Sequence, residues 1–435
     1  MHPNAPSGTR LPWLSRTKVT VKKAESLPED PGRTLRRVVR VAGPGIITGG
    51  ADNDPAGITT YSSVGASSGF SQLWLLVLSI PLLIAVQGVA ARLGAVTKLG
   101  LAELIRNEFG MTVALAAGSL LVVANIATIG ADLVGMAAVL QLLTGVKLIL
   151  FIVPLVVVMG YVTIFQNFKT IQRLFLWLIA VFLTYVAAGI LAHPHWGSVL
   201  LQIVVPPIRL NLTYVSGAVA LLGTTITPYL FFWQTAGERE ERRGVEQMGD
   251  TYLDVTAGML MSNLVAGFIM ISTGATLFAH HQSVNTAAQA AHALRPVAGP
   301  AASVLFSIGI LGSGFVAIPI LAVSTGYALS GTFGWRMGLG RQAFAAPGFY
   351  SVIALSLLAG VQLAISGFSP IKALLYSQIL NGIVAPPLLV VIILLATRSR
   401  LMGAYVATVW ERAGVIAAAA IMGLADLALL YNAVR

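Results

Sequence analysis

Apolar residues in this chain gather in blocks of about 20 residues or more, the length needed to cross a bilayer as a helix. Such blocks fall at roughly 42–68, 71–91, 112–143, 147–166, 170–192, 212–237, 251–279, 300–330, 343–365, 369–396 and 412–433. The pattern predicts an all-α polytopic membrane protein with eleven spanning helices. Two blocks are interrupted. The first contains Gly49-Gly50-Ala51-Asp52-Asn53-Asp54-Pro55-Ala56-Gly57, and the sixth contains Gly223-Thr224-Thr225-Ile226-Thr227-Pro228-Tyr229. Pro55 and Pro228 each remove a backbone donor and clash with the preceding turn, and the glycines weaken the helix further. Both spans are therefore expected to break at mid-membrane.

The spacing of the two breaks carries topology. Five spans per unit make residues 41–192 and 212–396 inverted repeats, because an odd number of crossings reverses orientation. Broken helices at equivalent positions of two such halves point to a central site of the kind transporters use. The loop and eleventh helix of 397–435 stand outside the repeats. Residues 1–40 are polar and basic, with several prolines and no apolar stretch of a signal peptide. They read as a disordered cytoplasmic tail that becomes helical near Arg33.

Composition agrees with the pattern. The 435 residues are 56% hydrophobic and only 10% charged, with mean hydropathy +0.83, whereas soluble domains carry about 25% charged residues. A net charge of +11 could suggest a nucleic-acid partner, but the basic residues sit in loops and in the tail. With the tail inside, all of the 27 Lys and Arg fall on the inner side except Lys147, Arg209, Arg295, Lys372 and Arg435. That asymmetry predicts an inner N-terminus and an outer C-terminus in a bacterial-type cell membrane. The partner implied is the lipid bilayer, not nucleic acid. The absence of cysteine excludes disulfides and thiolate metal ligands.

Carboxylates inside lipid are costly and usually functional. Those within the spans are Asp52, Asp54, Asp132 and Asp426, with Asp254 near the inner end of the seventh. Asp54, beside Pro55, is the first candidate for a cation ligand. Asp52 either binds as well, caps a half-helix, or pairs with a polar neighbour. Asp426 lies outside the repeats and reads as structural. Around Asp54 the breaks offer carbonyls near Ala51 and Thr224, the hydroxyls of Thr224 and Thr227, and the Gln378 amide from the tenth span. Neither break holds Met, Cys or His, so the donor set is all oxygen and suits a hard divalent cation. Small residues at Ala56 and Gly57 would let Mg²⁺, which dehydrates reluctantly, keep some of its waters. No nucleophile–base pair stands out, so neither an enzyme nor a cofactor is expected.

These residues resemble a known family. Gly43-Pro44-Gly45 followed by Asp54-Pro55-Ala56-Gly57 is similar to the first helix of the Nramp divalent-metal transporters. Gln87, Ala91-Arg92-Leu93-Gly94 and Leu101-Ala102-Glu103 resemble the signature between their second and third helices. Gly130-Ala131-Asp132 looks like their third-helix motif, and Tyr327 lies in a similar eighth-helix stretch. The resemblance implies a LeuT-like fold and divalent-cation transport, with Asp132 as a proton acceptor or a structural carboxylate.

The departures are informative. Gly57 stands where the family motif has Asn. Thr227, Pro228 and Tyr229 stand where it has Met-Pro-His. Gly135 replaces a glutamate, and Ala343 to Ile371 lacks the family's arginine. Loss of the Asn and Met resembles the Nramp-related magnesium transporter branch, which is described as moving Mg²⁺ and Mn²⁺ without proton coupling. The expectation is an Mg²⁺ importer, with Mn²⁺ as second cargo, in which Tyr229 helps wall the inner exit. A proton-coupled Mn²⁺/Fe²⁺ importer is the alternative; an organic-solute carrier and a metal sensor are more distant ones. The small residues Gly309, Gly312 and Gly314 are expected to pack within the bundle of a monomer.

Overall fold

The computed structural model describes residues 43–165, 181–284, 286–291 and 299–434. The basic tail, including the helix expected near Arg33, and the first part of the fifth span lie outside them. Among the described residues every regular element is helical. The long helices are α1 (Pro44–Ala51), α2 (Pro55–Ser68), α3 (Leu73–Thr97), α4 (Leu101–Phe109), α5 (Met111–Thr144), α6 (Ile149–Phe165) and α7 (Val181–Leu191). They continue with α8 (Trp196–Val204), α9 (Leu212–Thr225), α10 (Pro228–Glu240), α11 (Met248–Thr276), α12 (Ala302–Phe333), α13 (Pro347–Ala364), α14 (Pro370–Ala396) and α15 (Val409–Val434). Each of the eleven expected spans has its helix, and the first and sixth are split as α1/α2 and α9/α10.

Two helices were not anticipated. The α4 segment is amphipathic, burying Leu101, Leu104 and Ile105, while Glu103 reaches back to accept the Gly100 N–H at 2.8 Å. Its charged face also meets the bundle, through a 2.6 Å ion pair between Glu103 and Arg239. The α8 segment lies in the connection before the sixth span. Both are too short to span, so block length alone passed over them.

The two breaks share one construction. Pro55 is the first residue of α2 and Pro228 the first of α10. At that position a helix has no partner for an N–H, so proline costs nothing there and its fixed φ suits the start. The prolines thus begin new helices instead of kinking old ones.

Packing is organised around α1 and α11, which run side by side in the same direction. Three α11 residues at four-residue spacing, Asp254, Gly258 and Ser262, lie on one stripe. Asp254 meets the start of α1, accepting the Gly43, Gly45 and Ile46 N–H groups at 2.9, 2.9 and 3.0 Å. Gly258 meets its middle, where any Cβ on Gly49 or Gly258 would overlap the facing backbone. Ser262 meets its end, donating to Asp52. Beyond the break α2 continues along α11, and its own start is wedged between Ala131 of α5 and Leu374 of α14.

The Asp254 end of the bundle is closed by charge. Arg243 pairs with Asp254 at 3.0 Å and with Glu241 at 2.6 Å, and Lys98 donates to the Arg243 carbonyl. Burial raises the Glu241 carboxyl above its ordinary pKa, although Arg243 beside it pulls the other way. Nearby, Tyr327 donates to Glu240 at 2.9 Å, and Arg92 of α3 pairs with Glu411 of α15 at 3.0 Å.

Removing the Asp254 carboxylate strands three backbone N–H groups and leaves Arg243 with Glu241 as its ion-pair partner. Asp254→Ala is expected to destabilise the protein by about 3 kcal/mol or more, read as a lower thermal midpoint in detergent. Asp254→Asn keeps one acceptor oxygen and should lose less.

Candidate functional site

The first break leaves backbone groups that need partners. Asp52 caps the C-terminus of α1, its own N–H still bonded to the Thr48 carbonyl. Asp54 turns to extended backbone and becomes the N-cap of α2. One of its carboxylate oxygens accepts the Gly57 N–H at 2.5 Å. The neighbouring N–H, that of Ala56, goes to Asp132 Oδ1 at 3.0 Å. Two carboxylates from different spans therefore hold adjacent amides at one helix start, where the partial positive charge of the helix favours them. Asp132 Oδ2 is left buried without a partner.

Prolines also free carbonyls. A helical carbonyl bonds the N–H four residues on. For Ala51 that residue is Pro55, and for Thr224 it is Pro228, neither of which has an N–H to give. The Ala51 carbonyl receives the Tyr229 hydroxyl at 2.8 Å instead. Tyr229, expected at the inner exit, is thus a strut between the two broken spans, and its own carbonyl accepts from Ser324 at 3.1 Å. A carbonyl has two lone pairs, so Ala51 keeps one.

Gly57 is the centre of the oxygen cluster. A Cβ placed there would lie 2.9 Å from Thr224 Oγ1, 3.0 Å from the Asp52 carbonyl oxygen and 3.0 Å from Asp54 Oδ1. These three oxygens are close neighbours with no side chain among them. The carbonyl at the cluster is that of Asp52, one residue on from the expected Ala51.

The other candidates are buried with polar atoms to spare. Thr224 Oγ1, Thr227 Oγ1 and Gln378 Nε2 have no hydrogen-bond partner, while Gln378 Oε1 accepts from Asn381 at 3.1 Å. Gln378 is already at the sixth span, its backbone packed against Gly223. The Asp52 side chain faces away from the cluster, toward α11. Ser262 donates to its Oδ2 and accepts from Asn53 at 3.0 Å, which is the pairing with a polar neighbour that was one of its three readings. The capping of a half-helix N-terminus considered for Asp52 is done by Asp54. Asp426 is partly buried on α15.

Among the described residues no three His, Asp or Glu side chains come together as a metal-holding group. A cation here would be held by one or two carboxylates with carbonyl and hydroxyl oxygens, a hard, neutral-rich set. Ser262, the amide-binding role of Asp254 and the strut role of Tyr229 are not read from the sequence. The Asp-x₃-Gly-x₃-Ser stripe of α11 was the available signal for the first two.

Comparison with known proteins places the chain. A family model described as natural resistance-associated macrophage protein-like matches residues 45–432. A divalent metal cation transporter MntH of Acidiphilium cryptum is 25% identical over 401 residues, which is 89% of this chain and 90% of the relative. The MntH of Bacillus subtilis is 23% identical over 394 residues, 87% of this chain and 88% of the relative. Among solved structures, the manganese transporter of Eremococcus coleocola superposes with a TM-score of 0.72 at 21% identity, covering 94% of this chain and 90% of that one. MhsT in complex with L-phenylalanine gives 0.60 at 11% identity, covering 89% and 98%. These likenesses carry the fold, which is LeuT-like. Given the family model's span, the chain is a transporter and not an enzyme, and it belongs to the Nramp family.

Proposed function

We propose that this protein imports Mg²⁺, with Mn²⁺ as second cargo, by alternating access and without proton coupling, in the manner of the Nramp-related magnesium transporter branch. Asp54 supplies the fixed charge. The carbonyls of Asp52, Ala51 and Thr224, the Thr227 hydroxyl and, on closure, the Gln378 amide complete a partly hydrated shell. The relatives are named for divalent metal cations and for manganese, which supports the cargo class.

The observation that carries the finer reading is the bare oxygen cluster around Gly57. Any side chain there would fill the space between Thr224, Asp52 and Asp54, so glycine leaves room for an ion that keeps waters. Absence of a thioether or imidazole at the breaks removes the preference for softer metals. With the tail inside a negative interior, the membrane potential is worth about 2.3 kcal/mol per charge per 100 mV, and twice that for a divalent ion. That suffices for uptake without a proton.

The uncoupled reading draws support from Gly135. A Cβ there would lie 3.1 Å from the end of the Leu374 side chain and 3.6 Å from Pro55, so the position where the family has a glutamate is carboxyl-free and packed by apolar groups. α13 carries no charged residue at all. One observation favours the rival, a proton-coupled Mn²⁺/Fe²⁺ importer: Asp132 Oδ2 is buried and unpartnered beside the site, where a proton could reside.

Uptake into proteoliposomes under a fixed inward-negative potential, with metal dyes and an internal pH dye, separates the two. Mg²⁺ entry without acidification, reduced at least about 100-fold (some 2.7 kcal/mol) in Asp54→Ala, is the expected result. Mn²⁺ entry with acidification and no Mg²⁺ flux would replace it with the proton-coupled mechanism. Gly57→Ala should lower Mg²⁺ uptake more than Mn²⁺ uptake, by about tenfold in the ratio of rates, because it takes the space of retained water. Equal losses for both ions would argue against a hydrated cargo.

A further inference from the structure

Away from the cation site, two cavities lie beside α8. The first, of about 820 Å³, has mostly apolar walls, among them Phe70, Leu201 and Phe278, but gathers the polar and basic side chains His193, His195, Ser198, Gln202 and Arg209. Among the described residues no carboxylate lines it, and Arg209 enters no ion pair there. The second, of about 550 Å³, is almost wholly apolar, a groove between α3 and α11 walled by Leu76, Val77, Leu260, Leu264 and Phe268, with Ile203 of α8 at its end. The cavities are lined by near neighbours along three stretches of the chain. Ser71 lines the first and Leu73 the second, Gly274 the first and Ile271 the second, Gln202 the first and Ile203 the second.

The surroundings are those of a membrane boundary. Val204 and Leu210, either side of the first cavity's rim, are 77% and 75% exposed, which water would not tolerate in a run but lipid would. Trp196, at the start of α8, is partly exposed too, as in the aromatic belts at membrane interfaces. Leu260 and Leu264 on the groove wall are likewise exposed and must be covered by acyl chains. The basic cavity is at the end of the bundle that the Lys and Arg distribution assigns to the outer leaflet.

We infer that this pair of cavities is a binding site for one anionic glycerophospholipid, its phosphate beside Arg209 and the histidines and an acyl chain along the α3–α11 groove. A zwitterionic lipid could fill the groove equally well, but its ammonium would find no acid in the basic cavity. A basic residue at a membrane surface contributes about 1 kcal/mol toward an anionic headgroup, which sets the preference expected. The site is independent of the cargo reading, since none of its residues touches the oxygen cluster.

The test is native mass spectrometry of the purified full chain, delipidated in detergent and offered phosphatidylglycerol and phosphatidylcholine in equal amounts. The unaltered protein should retain phosphatidylglycerol about fivefold over phosphatidylcholine. Arg209→Ala should bring the ratio to near one and Arg209→Lys should keep most of it. Gly267 lines the groove and faces open space, so Gly267→Leu fills it without a clash and should reduce retention of both lipids. Thermal midpoints in lipid-free detergent, unchanged in all three variants, confirm folding. Equal retention of the two lipids, or an unaltered ratio in Arg209→Ala, overturns the inference. So does displacement of phosphatidylglycerol by soluble glycerol phosphate at the same concentration, which marks a free-phosphate site. A dimer mass with the groove emptied of lipid would show that a second copy covers it.

Discussion

A helix cannot stop inside a membrane without supplying partners for the backbone groups it frees, because hydrocarbon offers none. Everything distinctive about this bundle follows from stopping two helices there. Each unmet buried N–H or carbonyl costs about 1–3 kcal/mol, and the first span alone has two helix starts to satisfy. Buried carboxylates do that work. Asp254 takes three amides at the start of α1, and Asp54 and Asp132 take one each at the start of α2. An ionised side chain in lipid is otherwise expensive. Here its desolvation is offset by charge-assisted bonds to amides that would themselves go unpaired.

The candidate site is a by-product of the same bookkeeping. The prolines that open α2 and α10 deprive Ala51 and Thr224 of their helical donors, and the Asp52 carbonyl is turned into the gap. Tyr229 claims the Ala51 carbonyl, while the hydroxyls of Thr224 and Thr227 stay unclaimed. The second break lacks the capping of the first: α10 has no side-chain hydrogen bond at its N-cap, Thr227. One break is thus charged and anchored, the other neutral and open. An ion between them would find its charge partner on one side and adaptable oxygens on the other.

Anchoring is uneven in a way that matters for motion. α1 is fastened to α11 along its whole length by the Asp254, Gly258 and Ser262 stripe, backbone against backbone. Its contact with the sixth span is made by fewer, separable bonds: the Tyr229 strut and the 2.7 Å bond from Thr48 to Gln234. Rearrangement between the two broken spans would break those bonds before it disturbed the stripe. The charged cluster of Arg243, Glu241 and Asp254 closes the same end of the bundle.

Much of this was legible in the residues. Blocks of apolar sequence gave eleven spans because a bilayer imposes one length on all of them, and Pro55 and Pro228 marked both breaks because each follows glycines and polar residues, whereas Pro81, Pro154, Pro319, Pro386 and Pro387, in apolar surroundings, stay inside continuous helices. The residue types at the breaks, oxygen donors without Met, Cys or His, are likewise a property of the sequence alone. What it could not decide was partnership. Whether Asp52 or Asp54 caps the half-helix depends on a single turn of backbone at residue 54, and only the fold brings Asp132 from 76 residues away to the Ala56 amide. That the Tyr229 hydroxyl reaches across to Ala51 is invisible in the sequence, and Asp254 has no partner until α1 lies against it. Lengths and breaks are properties of a segment in its solvent and can be read locally. Which oxygen satisfies which donor is settled by distances between segments, and these exist only once the helices are packed.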